Sequence, residues 1–124
     1  MYVLDSNILI GHLSGNASIK GWIKDRIKSE YLAISTISKI ETLSFPYLTG
    51  DDLYEAEKFV ALFSEVNLFG NVALIAIKLK RNTDLSLADA IIAATAISRQ
   101  AVLVTNDKTL AKKVKKFVGV LSLG

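Results

Sequence analysis

The chain contains no cysteine, which excludes disulfides, thiolate metal sites and a cysteine nucleophile. Its one histidine is His12, so a Ser-His-Asp triad or a histidine-based zinc site would depend on that residue alone. With a single proline, Pro46, and only 7 glycines, nothing marks a linker, a repeat or a low-complexity segment. No apolar stretch reaches the roughly 18 uncharged residues that a membrane helix needs. Met1 is followed at once by an apolar run ending in Asp5, without a basic leader. No signal peptide and no membrane association are therefore expected, and the lack of cysteine fits a reducing cytoplasmic compartment.

What is present is a hydrophobic fraction of 51% over 124 residues, with mean hydropathy +0.37. That is enough for a single domain spanning residues 1–124 with a substantial core. Lys and Arg total 15 against 12 Asp and Glu, for a net charge of +3. If some acids are internal, the outer surface is more basic than this total, which favours an anionic partner such as nucleic acid. A solvated, mildly basic surface is the plainer alternative.

Apolar periodicity predicts alternating strands and helices. Strands are expected at Tyr2–Leu4, Tyr31–Ile34, Glu65–Leu68, Ala101–Val104 and Val118–Leu121. Helices are expected at Ile8–Leu13, Ala17–Lys28, Ile37–Leu43, Asp51–Phe63, Val72–Lys80, Leu87–Arg99 and Lys108–Lys116. Ser35-Thr36 offers a cap, and Pro46 closes the third helix. This order favours a mostly parallel sheet with helices on both faces.

Four acids adjoin or interrupt apolar segments: Asp5, Glu41, Asp89 and Asp107. A lone carboxylate beside apolar surface is costly unless protonated, paired or bound to a cation. In a parallel sheet, Asp5 and Asp107 follow strands and come to the same carboxyl edge, where ligands collect. Glu41 follows Ile37 and Ile40 and is expected on the inward stripe of its helix. Asp89 sits within Leu87–Ala94, where small and apolar residues leave no polar face nearby. Four carboxylates in one pocket imply a divalent cation, because two of them about 4 Å apart repel by about 4 kcal/mol at an effective dielectric near 20. Oxygen-only ligands suit Mg²⁺ or Mn²⁺. Separately, Asp5 and Asp107 each read as helix caps, Glu41 as a partner for a lysine, and Asp89 as a partner for Arg81 or Arg99. Asp84 reads as a turn residue outside the pocket. Lys112-Lys113-Val114-Lys115-Lys116 reads as a solvated helix face or as a contact for RNA phosphate.

Other chemistries fit less well. A haloacid-dehalogenase-type phosphatase needs a second aspartate where Asn7 stands. A phosphoryl-receiver domain needs an early acidic pair and an aspartate ending a middle strand. A dinucleotide fold needs a glycine-rich turn.

The segments Tyr2-Val3-Leu4-Asp5-Ser6-Asn7-Ile8-Leu9-Ile10, Ser35-Thr36-Ile37-Ser38-Lys39-Ile40-Glu41, Leu85–Ala96 and Leu103-Val104-Thr105-Asn106-Asp107 resemble, in order, the four motifs of PIN-domain nucleases. The likeness is greatest to VapC-type toxins of toxin–antitoxin pairs, and it runs the length of the chain. It implies a PIN-like three-layer α/β/α fold and a metal-dependent ribonuclease. Asp5 and Asp89 would be the main ligands of Mg²⁺ or Mn²⁺, and Asp107 would complete the site. Glu41 would bind the metal through water or orient the attacking water. Ser6 and Thr105 would hydrogen-bond carboxylates or phosphate, and Asn7 would hold the first turn. The resemblance also implies an RNA substrate, an antitoxin partner and a homodimer, for which Phe45–Leu48 and Phe59–Phe69 are candidate contacts. The rival within the same fold is an RNA-binding or regulatory module with little or no nuclease activity.

Overall fold

Five short strands form in the computed structural model, which describes residues Met1–Gly124: the mainly apolar β1 (Tyr2–Leu4), β2 (Leu32–Ser35), β4 (Val102–Val104) and β5 (Val120–Leu121), and the more polar edge strand β3 (Ser64–Val66). Between them lie α1 (Ser6–Leu13), α2 (Ala17–Arg26), α3 (Thr36–Leu43), α4 (Gly50–Val60), α5 (Asn71–Asn82), α6 (Leu87–Ser98) and α7 (Lys108–Val114). The sheet order is β3-β2-β1-β4-β5, and every pairing is parallel. The expected mostly parallel sheet is therefore parallel throughout.

The two-residue alternation of each strand sends side chains to opposite faces, and both faces are apolar. Val3, Ala33 and Leu103 share one core with Val72, Ala76 and Leu79 of α5, the small residues of α6, and Leu110 and Val114 of α7. Leu4, Leu32, Ile34 and Val104 share the other with Ile8 and Leu9 of α1, Ile19 and Ile23 of α2, and Phe59 and Val60 of α4. The result is a three-layer α/β/α architecture. From central β1 the chain first builds outward through β2 and β3, then crosses to build β4 and β5 on the other side. The reversal falls between β1 and β4, so the crevice beyond their carboxyl ends is where a ligand has room.

Several boundaries differ from the periodicity for local reasons. Helix α1 starts at Ser6 and not Ile8, because Asp5 caps it and accepts from the Ser6 N–H. Helix α4 ends at Val60 and not Phe63. The Leu62 and Phe63 amides donate to Phe59 and Val60 carbonyls, and this tightening turn feeds β3. Phe59 and Phe63 are buried, edge to face at 5.1 Å between ring centroids, so they belong to the core and not to an interface. Phe69 is exposed. His12, in the last turn of α1, stacks on Phe59 at 3.9 Å with its Nδ1 buried and unpartnered.

Helix α6 lies against the middle of the sheet because it carries little side-chain bulk: Ala90, Ala93, Ala94 and Ala96 have no exposed surface. Close-packed interiors do not absorb added methylenes without strain. Ala93→Leu is expected to destabilise the protein by about 1–3 kcal/mol. Urea unfolding checks this, and an unchanged midpoint would mean that α6 is not tightly seated.

Candidate functional site

The four acids identified from sequence arrive at the sheet edge from four elements, in different environments. Asp5 follows β1, whose end is extended by an Asp5 N–H to Val104 carbonyl bond of 3.0 Å. Its side chain is 4% exposed, which places a carboxylate inside the protein. Oδ1 accepts from the Ser6 N–H at 2.7 Å, and Oδ2 accepts from the Thr105 hydroxyl at 2.8 Å. Burial raises the Asp5 pKa above its ordinary 3.8; the bonds from Thr105 and Ser6 oppose this, and the fields of Asp89 and Glu41 add to it.

Thr105 is the hub of this edge. Its hydroxyl oxygen donates to Asp5 and accepts from Asn7 Nδ2 at 3.2 Å and from the Asp107 N–H at 3.0 Å. Asn7 Oδ1 in turn accepts from the Asn106 N–H at 3.3 Å. The first turn of α1 and the loop after β4 are thus stitched together. Ser6 and Thr105 hydrogen-bond the Asp5 carboxylate, and Asn7 holds the first turn of α1 against the loop after β4, as expected of each.

Asp107 is exposed and caps α7, its Oδ1 accepting from the Thr109 and Leu110 amides at 3.0 Å each. Asp89 is half-buried at the third position of α6. Its own N–H donates to Ser86 Oγ at 3.1 Å, the N-cap bond of α6. A polar partner and a favourable place in the helix field therefore exist for Asp89, contrary to the sequence reading of a helix with nothing polar nearby. No ion pair forms with Arg81 or Arg99. Burial raises the Asp89 pKa; Ser86 lowers it, the Asp107 field raises it and Lys113 lowers it.

Glu41 is exposed, which corrects its expected place on the inward stripe of α3. That stripe is carried by Ser38 and Thr42, both fully buried. Small hydroxylated residues let α3 approach α1, while a glutamate there would be left without a partner. Glu41 makes no ion pair, yet its charge is felt at Asp5. Asp84, set outside the pocket by its sequence context, pairs with Lys113 at 3.3 Å on the surface.

The fields form a chain: Glu41 and Asp89 act on Asp5, and Asp107 acts on Asp89. The edge is one electrostatic unit. As the side chains lie, no three acids stand close enough to hold an ion jointly. Donor chemistry nonetheless fits a hard divalent cation: oxygen ligands only, one of them raised in pKa chiefly by burial and further by its acidic neighbours. Sequence reasoning missed Ser86, although its spacing to Asp89 signals a helix N-cap. It also missed Asn106, whose Oδ1 accepts from Ser122 Oγ, the Leu123 N–H and the Gly124 N–H at 3.1, 2.7 and 3.2 Å. No local pattern announces that long-range clamp.

A raised folded-state pKa gives the metal-free protein a definite pH dependence. The stability linked to Asp5 and Asp89 is fully present below their ordinary value of 3.8 and is lost as pH rises through their raised folded values. In chelator, Asp5→Asn should flatten this part of the thermal-stability profile. A profile parallel to that of the unmutated protein from acid to neutral pH would contradict the burial assigned to this carboxylate.

Comparison with known proteins accords with this geometry. The family model described as "PIN domain" matches residues 2–116. No curated protein matches the chain. Among solved structures, it is similar to a chain of a toxin–antitoxin complex from Klebsiella pneumoniae, at 25% identity and TM-score 0.82, covering 100% of this chain and 98% of that one. It is also similar to a chain of VapBC2 from Rickettsia felis bound to a promoter DNA fragment, at 19% identity and TM-score 0.82, covering 99% and 98%. A chain of DNA-bound VapBC from Salmonella typhimurium gives 19% identity and TM-score 0.81, with the same coverage. With the family match spanning nearly its whole length and the acidic edge in place, the chain belongs to the PIN domain family.

Proposed function

We propose that this protein is a metal-dependent endoribonuclease and the toxin of a toxin–antitoxin pair. The observation that carries the reading is the buried Asp5 carboxylate, raised in pKa by burial and by the fields of Asp89 and Glu41, at the carboxyl edge of a PIN-family sheet. Asp5, Asp89 and Asp107 would hold Mg²⁺ or Mn²⁺. A bound divalent cation lowers the pKa of water and neutralises charge on a phosphoryl group during hydrolysis. The chain's own residues do the rest. Thr105 and Ser6 fix the Asp5 oxygens, Ser86 fixes the start of α6 beneath Asp89, and exposed Glu41 is free to orient an attacking water. A PIN fold that binds RNA with little or no cleavage is the second reading, favoured by the acids not converging on one point as they lie.

Purified protein should cleave RNA with Mg²⁺ or Mn²⁺ and stop in chelator. Asp5→Asn, Asp89→Asn and Asp107→Asn should each lower the rate by more than about 100-fold, beyond the usual cost of losing an outer-shell partner. Asparagine caps helices well, so Asp107→Asn should remain folded by circular dichroism. Full activity in Asp89→Asn, or vigorous metal-free cleavage, would rule the mechanism out. RNA binding without cleavage in any metal would favour the second reading.

The toxin assignment is supported by the likeness to chains from toxin–antitoxin complexes. Exposed apolar residues give partners somewhere to bind: Phe45 and Tyr47 beyond α3, and Leu74, Ile77 and Leu87 on α5 and α6. We assign these surfaces to an antitoxin and a second copy of the chain. Growth arrest on expression should be relieved by co-expressing the product of the neighbouring gene, and the two should co-purify. Neither rescue nor a complex would remove the toxin role and leave the nuclease role to its own test.

A further inference from the structure

Helix α7 turns Leu110 and Val114 into the core and presents its lysines outward. Lys108, Thr109, Lys112, Lys113, Lys115 and Lys116 bound an open hollow without one hydrophobic residue. Only Lys113 has an acidic partner, Asp84 at 3.3 Å. Lys108 meets Lys112 at helical spacing, which destabilises a helix, and Lys115 and Lys116 add like charge just beyond its end. Lys108 also occupies the first turn, where the helix field disfavours a cation. The arrangement costs stability in the free protein, and an external anion would offset that cost.

We infer that the lysine face of α7 is a track for the phosphate backbone of single-stranded RNA leading to the acidic edge. Its choice of RNA rests on the nuclease reading above. Three features favour a nucleic-acid backbone over an acidic protein. The hollow lacks the apolar centre that protein interfaces have. Its charges are flexible point donors, suited to phosphates and not to a shaped surface. The track also begins at Lys108, adjacent in sequence to Asp107 of the acidic edge. From Lys108 to Val114 the helical rise covers about 9 Å, with Lys115 and Lys116 just beyond, enough to meet more than one phosphate.

The test is salt-dependent binding of the intact protein to a fluorescent unstructured RNA 12-mer in chelator, where the metal-dependent site is silent. Lys112→Ala/Lys115→Ala/Lys116→Ala should make the slope of log affinity against log salt shallower by about 2, since each neutralised phosphate on a single strand contributes about 0.7. Lys20→Ala/Lys24→Ala/Lys28→Ala, on α2 and the turn after it, removes equal charge elsewhere and should leave the slope near that of the unmutated protein. In Mn²⁺, the α7 variant should raise KM for the 12-mer and leave trinucleotide cleavage unchanged. An unchanged α7 slope, an equal loss in the α2 variant, or an equal slope loss toward polyglutamate would each overturn the assignment. If the unmutated protein cleaves no RNA in any metal, the nuclease reading fails, and the slope comparison still decides whether the lysines bind RNA. Circular dichroism of both variants separates misfolding from lost contact, and Lys→Arg at the same three positions should restore the slope.

Discussion

The hydrogen bond from Thr105 to the Asp5 carboxylate joins the two strands between which the sheet reverses its order. It acts on three levels. It compensates a charge that the fold has removed from water, it fixes the loop after β4 against the first turn of α1, and it sets which lone pairs of Asp5 remain open. A charge-assisted bond inside a low-dielectric wall is stronger than its surface equivalent, and leaving either partner unmatched is correspondingly costly. The rest of the edge is assembled around it: the Asp107 amide points at the same hydroxyl, and Asn7 approaches from the other side. The acidic edge is therefore built into the fold and not appended to it.

Most of the architecture was legible because local and long-range signals agree. Val3-Leu4 and Leu103-Val104 are continuous apolar runs, the mark of strands buried on both faces, and their side chains divide between the two cores. The acids at 5 and 107 were legible because each follows such a strand of a parallel sheet. Glu41 was misread because Ile40 beside it is apolar but 54% exposed, so the apolar stripe of α3 does not mark its buried face. Ser38 and Thr42 hold that face, and hydroxyl-bearing residues give no periodic signal. Asp89 looked isolated because the partner lies three residues upstream, outside the apolar run that drew attention to it. Asn106 was beyond reach, because its partners come from a segment that only folding brings near.

Charge is unevenly distributed about one junction. Up to Asp107, the edge gathers carboxylates that repel one another; from Lys108 onward, the helix gathers ammonium groups that do the same. Each set is unfavourable alone. They remain apart because Thr105 and the α7 cap fix the turn that separates them, and because Lys113 is committed to Asp84 and only partly relieves Asp89. A polyanion and a divalent cation together satisfy both sets, whereas neither alone does. Binding of the two ligands is thus expected to be mutually reinforcing, in the sense that each removes a repulsion the other cannot.

Two of the four acids have a second occupation in the fold: Asp5 and Asp107 cap helices. Asparagine retains a carbonyl oxygen for such caps while losing the negative charge. In the genetic code an aspartate codon becomes an asparagine codon by a single base change. A lineage of this fold therefore stands one mutation from surrendering a charge of its cluster while keeping its helix starts. The same economy that makes the edge sturdy makes its chemistry easy to discard, and a descendant that only binds would retain nearly every contact described above.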